Sequence, residues 1–418
     1  MIGEILATGD EIRTGALVDS NSAYIAERLM QYGVVVSRHQ AVGDDMEMLE
    51  AVLLEISRRA DIAVVTGGLG PTGDDLTAEA AARAAGCELV KDERALKEIE
   101  AFFQRRKRPM SPSNAKQAYL PDGARPLYNS VGTAPGFEIK INRCWFYCLP
   151  GVPREMERML ADQVMPLIQA RMGRERSYCL VRTISTFGLP ESAVGEKVSG
   201  LTGVFPDIKL GLRAKFPEIQ VKLYFTTDDE IRGNALLDRA TGWVREQLGA
   251  RVFSETGETM AAAVGRLLVE QKATLALAES CTGGLIANWV TNTAGSSDYF
   301  LLSAVTYANQ AKQALLGVAA ETLKEFGAVH EQTAREMAAG ARKAAGAVYG
   351  LSTTGIAGPS GGSKEKPVGT VCVAVAGPEG TVSRRLYFPF GQRLLNKRIF
   401  ATAALDMLRR VLLQENLD

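Results

Sequence analysis

Histidine is almost missing from this chain of 418 residues: His39 and His330 are the only two. A nucleophilic serine therefore has little access to a Ser-His-Asp relay, and lysine or tyrosine is left as its activator. Net charge is missing too. Lys plus Arg and Asp plus Glu both number 48, so no electrostatic footprint for nucleic acid is present. The run RRKR at 105–108 reads as a solvated loop or helix face. No stretch approaches the ~18–20 apolar residues of a membrane span. The opening MIGEILATGDEI carries acids and lacks the basic start of a secretory signal. The six cysteines (Cys87, Cys144, Cys148, Cys179, Cys281 and Cys372) are scattered. Cys144 and Cys148 have neither a second pair nor a nearby His to complete a zinc site. Buried thiols in a reducing cytoplasm are the expectation.

What is present points to two or three soluble domains, with 46% hydrophobic and 23% charged residues. The first ~170 residues alternate strand and helix. Strands are expected at 3–9, 34–42 and 61–68, and helices at 21–33, 45–60 and 76–86. This order predicts an α/β domain over 1–172, with a mainly parallel sheet covered by helices on both faces. A small α+β connecting module is expected over 173–253. A second α/β pattern fills 254–418, with strand TLALAES, helix GGLIANWVTN, strands at 366–377 and 384–390, and a long last helix. Segment 111–138 shows little periodicity and reads as a long loop, and such loops are often functional.

In open parallel sheets, ligands sit beyond the carboxyl ends of the strands. Thr8-Gly9-Asp10 and Thr66-Gly67-Gly68 mark two such ends. TGGLGPTGDDLT (66–77) is neither a P-loop nor a dinucleotide fingerprint. Its glycines Gly67, Gly68 and Gly70 nevertheless let backbone N–H groups approach a phosphate, and the following helix adds a positive dipole end. The plainer alternative is a tight turn with Asp75 as helix N-cap. Asp74 and Asp75, with Asp10, are candidate ligands for a divalent cation bridging a diphosphate. Thr8, Gly9, Thr72, Thr77, Asn114, Lys116, Gly132, Thr133, Pro150 and Gly151 complete the expected N-terminal binding set.

The densest C-terminal feature is 275–312. Ser280 ends a predicted strand, with Cys281, Thr282, Gly283 and Gly284 leading into a helix, so helix N–H groups lie near its hydroxyl. G-x-S-x-G is absent. Tyr307 and Lys312 follow; a partly desolvated Lys312 has a lowered pKa and can take a Ser proton, with Tyr307 positioning or relaying it. Each residue also has a plain alternative: helix cap, packing ring and surface charge. TTGIAGPSGG (353–362) is a third Gly-rich strand end, presenting Thr354, Gly355, Gly358, Gly361 and Gly362. Arg393, Lys397 and Arg398 open the last helix and can pair a phosphate. Cys281 is a rival nucleophile, but no His lies within the motif to activate it.

With these motifs quoted, the chain resembles the CinA family (competence/damage-inducible protein A) over nearly all its length. TGDEIRTGALVDSNSAYIAERL, TGGLGPTGDDLT, SNAKQAYLP, NSVGTAPGF and LPGVPREM are similar to its molybdopterin-binding-like N-terminal half. AESCTGGLIANWVT, GSSDYF, VTYANQAK, TTGIAGPSGG and KPVGTV are similar to its C-terminal half. The resemblance implies two activities. One is a C-terminal deamidase of nicotinamide mononucleotide (NMN) without cofactor, with Ser280 as nucleophile, Tyr307 and Lys312 as its activating pair and Thr354 as a substrate contact. The other is an N-terminal, metal-dependent ADP-ribose pyrophosphatase giving AMP and ribose 5-phosphate. A non-catalytic pterin or nucleotide module is the alternative for that half. A cytoplasmic homodimer with neither nucleic-acid nor membrane partners is the accompanying expectation.

Overall fold

Short apolar runs separated by amphipathic helices fold as their periodicities require. The computed structural model describes residues 1–173 and 178–416. It divides into two compact units, one built on the first 180 residues with Phe225–Asn234, the other on Val181–Tyr224 with Ala235 onward. The first unit holds a six-stranded sheet, ordered Val35–Val42, Ile2–Thr8, Ile62–Thr66, Cys144–Leu149, Gly136–Ile141 and Arg125–Leu127. The first four strands run parallel, and Gly136–Ile141 pairs antiparallel with both of its neighbours. Helices cover both faces because the strands are apolar on both: Leu6, Ala63 and Val65 face Leu49, Leu53 and Ile56, while Ile5, Ile62 and Val64 face Ile25 and Leu29. Helix Met46–Arg59 starts where the Asp45 carboxylate accepts the Met48 N–H, and it ends on Arg58 and Arg59.

Segment 111–138 is not the structureless loop its composition predicts. A 3₁₀ turn, Pro112–Ala118, leads into Tyr119–Pro121, which pairs with Leu89–Lys91, and Arg125–Leu127 joins the main sheet. Strands of three residues are too short to show a period, so the pairing is invisible before the partner is known.

The connecting module is a four-stranded sheet ordered Lys209–Lys215, Glu218–Thr227, Tyr178–Thr186 and Val252–Ser254, with helices Glu191–Val198 and Glu230–Leu248. The last third carries a five-stranded sheet ordered Phe300–Val305, Leu275–Glu279, Tyr349–Gly355, Thr370–Gly377 and Gly380–Tyr387. The first three strands are parallel. Leucines and alanines alternate along Leu275–Glu279 and sort the two faces. Leu275 and Leu277 pack with Val264, Leu268, Phe400 and Leu405, whereas Ala276 and Ala278 pack with Met337 and Ala341 of helix Glu331–Ala345. The small side chains let that helix lie close to the sheet.

Helix Arg393–Leu412 is buried along nearly its whole length. Its C-terminal end carries two buried guanidiniums, Arg409 and Arg410, bridged by the Asp406 carboxylate, which accepts from Arg409 at 2.8 Å and from Arg410 at 3.0 Å, while Glu415 meets Arg409 at 3.5 Å. Removing one member of such a set strands buried charge. Asp406→Ala is expected to lower unfolding stability by about 3–5 kcal/mol in denaturant titration. A change within about 0.5 kcal/mol, the range of ordinary surface substitutions, would show that the guanidiniums are satisfied elsewhere.

Candidate functional site

Ser280 stands where Leu275–Glu279 leaves the sheet. Its N–H donates to Thr353 O on the neighbouring strand (2.9 Å), and its carbonyl accepts Gly283 N–H (3.1 Å). Gly283 and Gly284 both take positive φ, 61° and 87°, conformations that glycine adopts without a Cβ penalty. The helix begins at Leu285, later than the glycines predict. The reason is Glu279. Its buried carboxylate reaches past the turn and accepts the N–H groups of Gly284 (3.0 Å), Ile286 (3.2 Å) and Ala287 (2.9 Å). Only the Cys281 and Thr282 N–H groups of the turn have no acceptor among the described residues.

Lys312 projects from helix Asn309–Leu316 into this turn and is 1% exposed. Its Nζ lies 3.1 Å from Ser280 Oγ, 2.8 Å from Thr306 O and 3.2 Å from Tyr307 O. No carboxylate pairs with it among the described residues. Desolvation lowers its pKa from the ordinary lysine value. A neutral amine has two N–H bonds and one lone pair. Two backbone carbonyls and one hydroxyl match that inventory, with the Ser280 hydroxyl donating to the lone pair.

Other predicted residues are placed differently. The Tyr307 ring is 63% exposed and its hydroxyl accepts from Arg393 (3.0 Å), so it touches neither Ser280 Oγ nor the lysine amine through its side chain. It holds Lys312 by its carbonyl instead. Thr354 is buried, and its hydroxyl donates to Ala328 O (2.6 Å). Thr282 Oγ1 lies 2.7 Å from Thr353 Oγ1. Gly355 ends its strand, and Gly358, Gly361 and Gly362 shape the turn beyond it, where Gly358 O accepts from Arg393 (2.7 Å). Lys397 Nζ lies 3.4 Å from where a Gly283 Cβ would stand. Arg393 and Lys397 therefore flank the site. Arg398 does not: its guanidinium donates to Phe216 O of the connecting module (2.8 Å). One helical position separates Lys397 from Arg398 by about 100°, enough to send two neighbouring cations to different surfaces. Cys281 packs in the core, and burial pushes its thiol up to about 12, which removes it as a nucleophile near neutral pH.

The N-terminal cavity has a volume of about 580 Å³ and lies at the carboxyl ends of the parallel strands. Thr8, Gly9, Gly67, Gly68, Gly70, Thr72, Asp74, Asp75, Thr133, Pro150 and Gly151 line it. Gly68 has φ 64°, and a Cβ there would collide with Thr77 Oγ1, which itself donates to Gly67 O (2.9 Å). The N–H groups of Gly68, Leu69 and Gly70 have no acceptor among the described residues. Asp75 is not a helix cap; it accepts from Thr72 N–H and Oγ1, and Leu76 occupies the cap position. Lys116 clips the same turn, donating to Thr72 O and Asp75 O, and Asn114 bonds Gln117. Gly132 donates to Asn129.

The expected cation ligands do not converge. Asp10 pairs with Arg13 at 3.0 Å, Asp75 is engaged by Thr72, and no three His, Cys, Asp or Glu side chains gather into a metal set among the described residues. As arranged, these carboxylates do not fit a shared metal ion. Asp44, raised by its own burial and then by repulsion from Asp10, Glu11 and Asp74, marks how the acids crowd without a common centre.

Sequence reasoning missed two wall residues. Asn21 donates to Thr66 and Gly151 O, leaving its buried Oδ1 unpartnered. Glu155, accepting from Asn129 (2.7 Å), has its pKa raised chiefly by burial. The only advance signal was their position in the first turn of helices Ser20–Gln31 and Pro153–Met159.

Comparison with known proteins follows this division. Residues 4–170 match a probable molybdopterin binding domain, 181–254 the KH domain of damage-inducible protein CinA, and 257–412 the CinA C-terminal domain. A CinA-like protein of Desulfosudis oleivorans is 52% identical over 99% of this chain and 100% of its own length. One of Geobacter metallireducens is 47% identical over 98% of each. Solved relatives cover parts: CinA of Thermoplasma acidophilum (34% identity, 40% of this chain and 97% of that one, TM-score 0.37) and a competence/damage-inducible protein of Agrobacterium tumefaciens (40%, 36% and 94%, 0.35). Its fold is that of a mixed α/β protein with a molybdopterin-binding-type first domain. The chain belongs to the CinA family.

The KH match has a signal in Gly200-Leu201-Thr202-Gly203, a G-x-x-G spacing that the charge argument overlooked. Leu201 is buried and no cation stands between the glycines. Among the described residues no helix is long and apolar enough to cross a membrane.

The state of Cys281 can be read directly. Iodoacetamide at pH 8 is expected to modify Cys281 at least ~100-fold more slowly in the native protein than in urea, since only an accessible thiolate reacts. Peptide mass spectrometry reporting equal rates would return the thiol to the list of nucleophiles.

Proposed function

We propose that the C-terminal site is a Ser–Lys amidase acting on the carboxamide of NMN, releasing ammonia and nicotinate mononucleotide. The observation carrying this reading is the buried Lys312 amine, oriented by two carbonyls and aimed at Ser280 Oγ. Lys312 takes the serine proton, and Oγ attacks the carboxamide carbon. The developing oxyanion sits against the unengaged N–H groups of Cys281 and Thr282. Lys312 then returns its proton to the departing nitrogen, and water resolves the acyl-enzyme to the carboxylate. Arg393 and Lys397 are the cations placed to meet the nucleotide phosphate. Tyr307 belongs to the mouth of the site through its ring and to the base through its carbonyl.

For the N-terminal cavity the reading is a nucleotide diphosphate of the ADP-ribose class. The free N–H groups of the Gly68–Gly70 turn face the anion, and the Asn21 Oδ1 acceptor supports this choice. Glu155 is the half-buried carboxyl that can exchange a proton with the ligand. Cleavage to AMP and ribose 5-phosphate is the enzymatic form of this reading.

Ammonia release from NMN in the presence of chelator tests the first reading. Wild type is expected to turn over and Ser280→Ala to lose at least ~10³-fold in kcat. Near-full activity in Ser280→Ala would end the scheme. The base must be neutral, so kcat/KM rises with pH through the lowered pKa of Lys312 and levels off before the ordinary lysine range. A rate that falls over that interval contradicts a lysine base. For the cavity, AMP formation from ADP-ribose is expected. Calorimetric binding without AMP would make this half a binding module.

A further inference from the structure

We infer that Glu279 is the positioning residue of the Ser280 nucleophile, locking the serine turn to the lysine base through one backbone carbonyl and one buried carboxylate; this rests on the amidase reading above. Glu279 is the last residue of its strand and is fully buried. It makes no ion pair among the described residues. Its charge is balanced instead by the Gly284, Ile286 and Ala287 N–H groups, two on Oε2 and one on Oε1.

Its main chain does a second job. Glu279 O accepts Thr306 N–H at 2.9 Å, and Thr306 O is the nearest acceptor of Lys312 Nζ. Glu279 also lies opposite Val305 on one side and Thr353 on the other. The residue before the nucleophile thus fixes both the segment that orients the base and the start of the helix after the nucleophile. Glycines at 283 and 284 leave the turn without side chains to hold its shape, so the carboxylate supplies the restraint that the sequence there lacks. A buried carboxylate facing only backbone donors is an exacting arrangement. The isosteric amide of Gln keeps one acceptor and turns an NH₂ toward an N–H donor. The turn must shift to relieve that contact, and shifts of about 1 Å between reacting groups can cost ~10²-fold in rate.

The test separates this claim from the substrate assignment. A fluorophosphonate probe reacts with an activated serine whatever its natural substrate: phosphorus bonds to Ser280 Oγ as fluoride leaves and the proton passes to Lys312. Full-length wild type, Glu279→Gln and Glu279→Asp are labelled, with the modified serine located by mass spectrometry, rates taken across pH and folding checked by thermal melting. Wild type is expected to be labelled at Ser280 only. Glu279→Gln is expected to be labelled ~10–100-fold more slowly, with the same pH midpoint, at temperatures where it is fully folded. Glu279→Asp, which keeps the charge on a shorter arm, should fall between. Folded Glu279→Gln labelled at the wild-type rate overturns the positioning role. If Glu279→Gln does not fold, the Asp variant decides: wild-type labelling overturns the inference, and slower labelling supports it. Absence of labelling in wild type is a distinct result, since it removes Ser280 as an activated nucleophile and sinks the amidase reading itself.

Discussion

A lysine amine buried without a counter-ion governs the C-terminal third of this protein. Water would hold Lys312 charged; the protein interior removes that water and offers two carbonyls and a hydroxyl in its place. Carbonyls satisfy N–H bonds without fixing a positive charge as a carboxylate would, so the amine is hydrogen-bonded while its proton affinity falls. The nearest carboxylate in the turn, Glu279, spends its acceptor capacity on backbone N–H groups. A lysine amine and a carboxylate are thus buried in one small region, and main-chain groups meet both, with the Ser280 hydroxyl completing the amine's set. An ion pair between them would have tied up the base that the proposed amidase chemistry requires.

Much of the architecture was readable in advance because it depends on period and composition. Apolar runs with glycine ends placed the strands over 3–9, 34–42 and 61–68 within one or two residues of Ile2–Thr8, Val35–Val42 and Ile62–Thr66. Asp45 and the Arg58–Arg59 pair mark the helix over 46–59 by capping rules that need no tertiary context. Segment 111–138 failed the same approach because its strands owe their existence to partners elsewhere in the chain. The grouping of Ser280 with Lys312 was legible from residue types and spacing.

Side-chain direction was not legible. Tyr307, Thr354 and Arg398 stand near Ser280 in the sequence pattern, but each makes its polar contact elsewhere: with Arg393, Ala328 and Phe216. A one-residue step turns a side chain by about 100° on a helix and to the opposite face in an extended segment, and no pattern of letters reports that rotation when several neighbours are polar. The N-terminal acids show the same limit. Asp10, Asp74 and Asp75 share a strand-end region, yet local partners such as Arg13 and Thr72 claim two of them. Conversely Asn21 and Glu155 look like ordinary helix polar residues until the cavity wall is drawn.

The pinning of Ser280 N–H by Thr353 has a temporal meaning. During synthesis the nucleophile leaves the ribosome first, the lysine base later and the strand that anchors the serine later still. Parallel strands close only through such long crossovers, and ordering them is slow compared with local helix formation. A nascent chain therefore carries the serine for some time with no activating geometry around it. On the proposed amidase reading, reactivity switches on only when the last third has assembled, so a partly made or misassembled copy is chemically silent toward the amides in its surroundings.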